Sequence, residues 1–367
     1  MGNIITNISS ILFTKKSIRA AIEAKGVSVS DTDTFASYAD KIGQIEGGEV
    51  TPDVPVTPDV PDTPEEEETS LLEDLCLQND GRLNFYYLFN RKKVNQKLLD
   101  EFITLANTYV VKDCTNMFDS STTFENGLIV KEPIDMKIRV TATALLSKAF
   151  YGSKIETDLT IDIDEDSVDN LTISNAFQNS YFKTITFKNN ASKIGKMNST
   201  FNGCTKLTQV NGLDFTNVTD IANSFQNTLI ETLDLSTTTN KLKSAGYFID
   251  GCSNLKEVTN INITNETSAI IPKNCPLLEK ITFQNSETVN NAITIDVSYL
   301  RKFVYPEDKT NILLLINSLP STTEGITGSL IFPTIYDPTG NNYPLTEEEV
   351  AIATNKGWSI TYKSRGI

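Results

Sequence analysis

A repeated motif with a period of about 24 residues dominates the chain and limits the folds it can adopt. Each copy begins with a lead residue, usually Phe, and has a small Cys, Ser or Thr three positions later and then an apolar, strand-like segment. The lead residues are Phe150, Phe177, Phe201, Phe225, Ile249 and Pro272, which are 27, 24, 24, 24 and 23 residues apart, and Phe118 begins a more degenerate copy. Because one such unit cannot bury its own apolar edge, we expect successive units to stack around a continuous core.

Each repeat is predicted to contribute one short strand with alternating apolar and polar side chains. Successive side chains of a strand point to opposite faces, so the polar ones should form an outward ribbon. The predicted ribbon consists of Thr184, Thr186, Lys188, Asp214, Thr216, Thr232, Asp234, Asn260, Asn262, Lys280, Thr282 and Gln284. Its hydroxyl and amide groups can donate and accept hydrogen bonds, which suits a saccharide or a protein ligand. The alternative is a polar face that is only solvated.

The five cysteines have the spacing of buried thiols. An odd count without C-x-x-C spacing is not a disulfide framework or a zinc site. Cys204, Cys252 and Cys275 each occupy the small position of a repeat, where adjacent units crowd. We therefore expect these cysteines, with Cys76 and Cys114, to be reduced and buried.

The segments on either side of the repeats at 113–311 are predicted to be caps, since a stacked array needs one at each end. Residues 70–112 predict a helical N-terminal cap, whose apolar stripe comprises Leu98, Leu99, Phe102, Ile103 and Leu105. Residues 312–367 predict a C-terminal cap that opens with an apolar helix at 312–319.

Within the C-terminal cap, the residues around position 350 predict a helix followed by a strand. Thr346 and Glu349 have the spacing of a capping box for a helix that continues through Ala353. Gly357 is predicted to end this helix, and the residues from 358 to 362 are predicted to form a strand.

Residues 1–47 are predicted to form a small helical module, followed by a linker. The apolar residues expected to dock on a partner or on further copies of the chain are Ile18, Ile22, Phe35, Tyr38 and Ile42. Such a short unit buries too little surface to be stable alone. In residues 48–69, five prolines recur at every third position, which is the period of polyproline II. We expect an acidic, semi-rigid spacer.

The composition argues against several functional classes. The chain has no histidine, which removes the commonest general base and metal ligand. We therefore expect no catalytic residues, no cofactor and no metal. The net charge of −15 argues against nucleic-acid binding, and no apolar run approaches the ~20 residues needed for membrane insertion. No basic segment precedes the first apolar stretch, so no secretory signal is expected.

An acidic segment at 162–169 begins like a calcium-binding loop. Ser167 stands where the loop requires Gly, and Ile173 stands where it requires a bidentate Glu. These acids are instead expected to be solvated residues of a turn.

Two parts of the sequence resemble known families. The runs from Ile18 to Val27 and from Thr34 to Ile42, about a tenth of the chain, look like a module near the start of bacteriophage virion proteins that recurs in tail and fibre proteins. The motif Phe201-Asn-Gly-Cys-Thr-Lys-Leu207 and the ending from Leu345 to Tyr362 resemble the BspA-like (Treponema-type) leucine-rich repeat of bacterial surface proteins and some phage proteins. This similarity covers about two thirds of the chain, and it departs from the family where Pro272 replaces the lead aromatic.

The resemblances imply an α+β fold in which a leucine-rich-repeat solenoid has one short strand per repeat and helical caps. They imply a virion appendage, assembled in the host cytoplasm, that binds other virion proteins through residues 1–47 and a host-surface glycan or protein through the solenoid. Fibres are commonly oligomeric, so a homo-oligomer is expected. The alternatives are a decoration or collar component of the virion, a bacterial surface adhesin and a polysaccharide-degrading enzyme.

Overall fold

The computed structural model describes residues 19, 22–23, 25–29 and 71–364, except 120, 240–241, 263–268, 285–287, 307 and 338. The chain divides into two compact units, Met1–Glu67 and Glu68–Ile367. This boundary falls inside the proline-rich segment 48–69.

In the first unit, Ile22 is buried against Val29, and Val27 packs on both. Residues 19, 22 and 23 are helical, as the sequence predicts, and Arg19 forms an i,i+4 ion pair with Glu23 at 3.0 Å. The other predicted docking residues, Ile18, Phe35, Tyr38 and Ile42, lie outside the described residues.

The second unit is a mixed α/β structure with few helices and several parallel sheets. Its helices are α1 (Leu71–Cys76), α2 (Gln96–Thr108), α3 (Arg301–Val304), α4 (Thr310–Ser318) and α5 (Glu347–Thr354). Its strands are β1 (Leu83–Asn84), β2 (Lys93–Val94), β3 (Val111–Asp113), β4 (Thr123–Phe124), β5 (Ile134–Ile138), β6 (Leu159–Ile163), β7 (Leu171–Thr172), β8 (Thr184–Lys188), β9 (Ile194–Lys196), β10 (Gln209–Asn211), β11 (Thr232–Asp234), β12 (Glu257–Ile261), β13 (Ala269–Ile270), β14 (Lys280–Phe283), β15 (Thr294–Asp296), β16 (Gly328–Pro333) and β17 (Trp358–Lys363). Among the helices that the structure describes, none is long and apolar enough to cross a membrane.

The strands form three larger sheets and two pairs. The sheet orders are β1-β3-β5-β6-β8-β10, β11-β12-β14 and β13-β15-β16-β17, and the pairs are β2-β4 and β7-β9. The strand pairs within these sheets are parallel. Parallel neighbours require a long connection between consecutive strands. The period of about 24 residues supplies that connection without a helix in every repeat.

The connections stack on one another through a column of buried phenylalanine rings, most of them lead residues. The phenylalanine rings of this column have centroid separations of 4.9–5.8 Å, and they belong to Phe89, Phe118, Phe150, Phe177, Phe201 and Phe225. Backbone hydrogen bonds join the same segments: the N–H of Phe177 donates to Thr200 and that of Phe201 to Ser224. Adjacent repeats are therefore held by backbone hydrogen bonds and buried aromatic contacts together.

Left-handed residues recur on both sides of the five lead residues from Phe150 to Ile249. Two positions before Phe177 and Phe225 the chain has Asn175 and Asn223, with φ of 58° and 55°. Two positions after Phe201 it has Gly203, with φ of 73°, whose Cβ would lie 2.1 Å from the Asn179 side chain if it had one. Asn and Gly adopt the left-handed region at least cost, which accounts for their recurrence around the lead residue.

The small residue after the lead residue fills the contact between neighbouring repeats. The Sγ–H of Cys204 donates to the carbonyl of Phe177 at 2.9 Å, and that of Cys252 donates to Phe225 at 2.9 Å. All five cysteines are buried and form no disulfide. Burial raises the pKa of Cys204 to about 11, so this thiol stays protonated and can donate. The prediction of buried thiols at these positions is correct. The degenerate copy differs, because Ser121 is exposed and bonds to Asp119.

The predicted N-terminal cap contains strands as well as helices. Helix α2 lies where the apolar stripe at 98–105 predicts it. Its N-cap is Asn95, whose side chain accepts a hydrogen bond from the N–H of Leu98 at 2.9 Å. The segment 70–112 also contains β1, β2 and β3, so the expectation of a purely helical cap is wrong. Phe89 stacks on Phe118 at 4.9 Å, and the aromatic column therefore begins before residue 113.

The three predicted C-terminal elements, α4, α5 and β17, are present, but β16 at Gly328–Pro333 was not predicted, and with it β17 forms part of a sheet. Thr346 and Glu349 form the predicted capping box of α5, and Gly357, with φ of 84°, precedes β17. Helix α4 also lies within one or two residues of its predicted bounds. Strand β17 pairs in parallel with β16 over six residues, from Gly328 with Trp358 to Pro333 with Lys363.

Candidate functional site

The candidate site is the strand face, defined as the outward-facing polar side chains of β5, β6, β8, β10, β11, β12 and β14. In β8 the burial alternates as predicted: Ile185 and Phe187 are buried, whereas Thr184, Thr186 and Lys188 are partly or fully exposed. The registers of β8 with β6 and β10 place Thr186 between Thr160 and Asn211. The Asn211 Nδ2 donates to the Thr186 Oγ1 at 3.3 Å, so short polar side chains of adjacent strands contact one another.

The next row of the strand face carries charges of alternating sign. Lys137, Asp162 and Lys188 are register partners on β5, β6 and β8. The side-chain amide of Asn189 donates to Asp162 at 2.9 Å. With two lysines and one aspartate this row has a net charge of +1, so it does not contribute the negative potential that the composition of the whole chain suggests.

The acidic segment at 162–169 is held by ion pairs. Asp164 is only 5% exposed, and Arg139 donates to both of its carboxylate oxygens at 3.0 and 3.1 Å. Lys137 lies 3.2 Å from the same carboxylate, and these hydrogen bonds lower the pKa of Asp164 to about 2. The expectation of solvated turn acids is therefore wrong for Asp164. Within the part of the chain that the structure describes, no group of three or more Cys, Asp or Glu residues could hold a metal ion.

In the second sheet, the strand face centres on Asp234. Asn260 donates to its carboxylate at 2.8 Å and Ser236 at 3.0 Å. Partial burial opposes ionisation, but these hydrogen bonds lower the pKa of Asp234 below its usual value. Asn260 has a φ of 59° at an irregularity in the register between β12 and β14, which turns its amide toward Asp234. Thr232, on the same strand as Asp234, is exposed.

Other predicted ribbon residues have structural partners. Gln284 donates to the carbonyls of Leu235 and Ser236 at 3.0 and 3.2 Å, and the buried Asn262 donates to Gln284 at 3.2 Å. Thr282 accepts from the backbone N–H of Asn260 at 3.1 Å. These side chains join different repeats, so they present less hydrogen-bonding capacity to a ligand than the sequence suggests.

Lys280 also has a partner, since its Nζ lies 2.8 Å from Glu257. Both side chains are partly exposed, and such surface pairs contribute little to stability. Lys280 therefore remains available to exchange its partner for a ligand.

Asp214 and Thr216 do not lie on a strand, and their prediction is wrong. The strand of this repeat is β10, Gln209–Asn211, and Gly212 follows with φ of 66°. A Cβ at Gly212 would lie 2.0 Å from the carbonyl oxygen of Phe187, so only glycine fits. Asp214 then accepts from the N–H of Thr216 at 2.8 Å in a turn. Gly212 was the sequence signal that the strand had already ended.

Sequence reasoning missed eight members of the strand face. The alternation along β5, β6, β10 and β12 adds Asp135, Lys137, Thr160, Asp162, Gln209, Asn211, Glu257 and Thr259. For β6 the sequence does carry a signal, because Leu159 and Ile161 alternate with Thr160 and Asp162. The face is also divided between two sheets, because β10 ends the first and β11 begins the second. None of the ribbon residues is aromatic.

Comparison with known proteins gives no further guidance. No protein-family model, curated protein or solved structure shows a significant match to this chain.

Proposed function

We propose that this protein is a non-enzymatic appendage of a bacteriophage virion, similar to a tail or head fibre, that binds a host-surface receptor through the strand face. In this proposal the second unit is a BspA-like leucine-rich-repeat solenoid. Residues 1–47 bind other virion proteins, and the chain works as a homo-oligomer on the particle.

The observation that carries the recognition function is the composition of the strand face. Hydroxyl, amide and charged groups follow one another across adjacent parallel strands, as in the contact of Asn211 with Thr186 and that of Asn260 with Asp234. Strands in a parallel ladder lie ~4.8 Å apart, so such a face offers a dense row of hydrogen-bond partners to an extended polar ligand.

The proposal of a solenoid is supported by contacts that recur once per repeat. The lead-residue rings stack, their N–H groups donate to the next repeat, and the small residue donates back to the preceding lead residue, as Cys204 does to Phe177. Each repeat thereby contacts mainly its neighbours, which is the defining property of a repeat array. The virion assignment is supported by the sequence resemblance of residues 18–42 to a module of bacteriophage virion proteins.

A matched pair of substitutions tests the recognition function. The purified full-length chain is fluorescently labelled, and its binding to a panel of bacterial strains is measured by flow cytometry. Thr232→Arg adds a long cation to the strand face, whereas Thr205→Arg makes the same change at an exposed position of a turn between strands.

We expect binding to at least one strain, which Thr232→Arg reduces at least about tenfold, equivalent to about 1.4 kcal/mol, and Thr205→Arg leaves unchanged. Failure of the wild-type chain to bind any strain, or equal binding by both variants, would reject recognition through this face. A particle map in which other virion proteins cover the strand face would favour a decoration or collar role.

A further inference from the structure

A second polar site lies between α3 and α4, and Glu279, which directly precedes the strand-face residue Lys280, lines it. A cavity of about 320 Å³ is bounded by Phe303 and Ile312 among its buried residues and by Glu279, Lys302 and Asp308 among its charged ones. This volume is at the lower end of the about 300–1,000 Å³ that small-molecule sites occupy. The cavity is therefore large enough for one small polar group of a ligand.

An exposed aromatic ring forms one wall of this cavity. Tyr305 is 54% exposed, and its ring stacks on Tyr336 with centroids 5.7 Å apart and an angle of 27° between the rings. The stack holds the Tyr305 ring in one orientation, so little conformational entropy remains to be lost when a ligand packs on it. A fixed, exposed aromatic ring beside polar groups is what the strand face lacks.

The polar groups around Tyr305 favour a neutral ligand that carries hydroxyls. The carboxylate of Asp308 accepts from the N–H of Thr310 at 2.7 Å, and hydrogen bonds from Thr310 lower its pKa, so it is an ionised acceptor. Asn311 contributes an amide that both donates and accepts. Lys302 lies 3.7 Å from Glu279 and offsets one of the two acids. The remaining negative charge disfavours an anionic ligand.

We propose that this cavity binds a neutral sugar residue, with Tyr305 packing on the apolar face of the pyranose ring and Asp308 and Asn311 bonding its hydroxyls. A pyranose has C–H groups on its faces and hydroxyls around its rim. It therefore matches an aromatic wall flanked by a carboxylate and an amide. The lining shares no residue with the strand face, and the proposal does not depend on the receptor function proposed above.

The test uses saturation-transfer NMR with the full-length chain and four neutral probes: oligosaccharides of glucose, galactose, mannose and N-acetylglucosamine. We expect at least one probe to receive saturation. Tyr305→Ala should weaken its binding about two- to tenfold, the range that an aromatic contact of about 0.5–1.5 kcal/mol provides. Tyr305→Phe keeps the ring and should retain binding, whereas Asn311→Ala should weaken it.

The control is Tyr247→Ala, which removes an equally exposed tyrosine, 59% accessible, that does not line this cavity. It should bind the probe as the wild type does. Circular dichroism checks that each variant is folded. The proposal is overturned if none of the four probes binds, if Tyr305→Ala binds as well as the wild type, or if Tyr247→Ala weakens binding equally.

Discussion

Replacing Phe201 by alanine should destabilise the protein more than most single substitutions. The Phe201 ring is fully buried between Phe177, at 5.5 Å and 8°, and Phe225, at 5.2 Å and 32°. Truncating a buried Phe to Ala costs about 3–5 kcal/mol. Two aromatic contacts at about 0.5–1.5 kcal/mol each account for about 1–3 kcal/mol of this. Phe201→Leu, which keeps most of the apolar volume, should therefore cost about 1–3 kcal/mol.

Urea unfolding followed by two signals measures these losses. Far-UV circular dichroism reports the whole chain, and fluorescence reports the single tryptophan, Trp358, which is buried in the C-terminal sheet. If the repeats unfold cooperatively, the Phe201→Ala substitution should lower the urea midpoint of both signals by the same amount. Tyr247→Ala, at an exposed position, should change the free energy of unfolding by less than about 0.5 kcal/mol. A loss below about 1 kcal/mol for Phe201→Ala, or equal losses for Ala and Leu, would refute the argument from stacked rings.

Two further predictions test the repeat and the buried ion pair. Deletion of residues 199–222 removes one period and joins Asn198 to Asn223, so the hydrogen bond from Asn175 to Asn198 remains possible. Circular dichroism should show that this variant is folded, whereas deletion of residues 199–210, half a period, should unfold the protein. Unfolding of the first variant would contradict a modular stack. Asp164→Asn should lower the free energy of unfolding by about 1.5–3 kcal/mol at pH 7, because it removes charge-assisted hydrogen bonds from Arg139. Because the folded-state pKa of Asp164 is lowered from 3.8 to about 2, the unfolded chain binds more protons between these values. The wild-type advantage should therefore decrease as the pH falls through this window, and an advantage that is undiminished at pH 2 would contradict it.

The sequence predicted which lead and small residues are buried better than it predicted where each strand ends. The period, the buried lead residues and the small residue that follows them are visible in a single chain, because each depends on local crowding that recurs at a fixed interval. Strand ends depend on the neighbouring repeat: Gly212 stops β10 where it meets the carbonyl of Phe187, and this contact joins residues 25 positions apart. Asp214 and Thr216 were misplaced for that reason.

Some features of the candidate sites were also predictable from the sequence, and others were not. The alternation of Thr184, Thr186 and Lys188 could be deduced from the sequence, since side-chain direction in a strand has a period of two. That Gln284 and Asn262 join repeats instead of facing a ligand depends on their hydrogen-bond partners, which local spacing does not reveal. The cavity at Tyr305 gave no sequence signal, because Glu279 reaches it from a different segment than Asp308 and Asn311.

The sequence by itself determined the period, the apolar residues of the core and the capping box of α5, because each arises from the spacing of residues within one repeat or one helix. Only the tertiary structure decided that the strands divide into separate sheets, that Asp164 is buried with Arg139, and that Tyr305 stacks on Tyr336 beside a cavity. These features join residues from different repeats or from distant segments. Their energies depend on distance in space, which the order of residues along the chain does not specify.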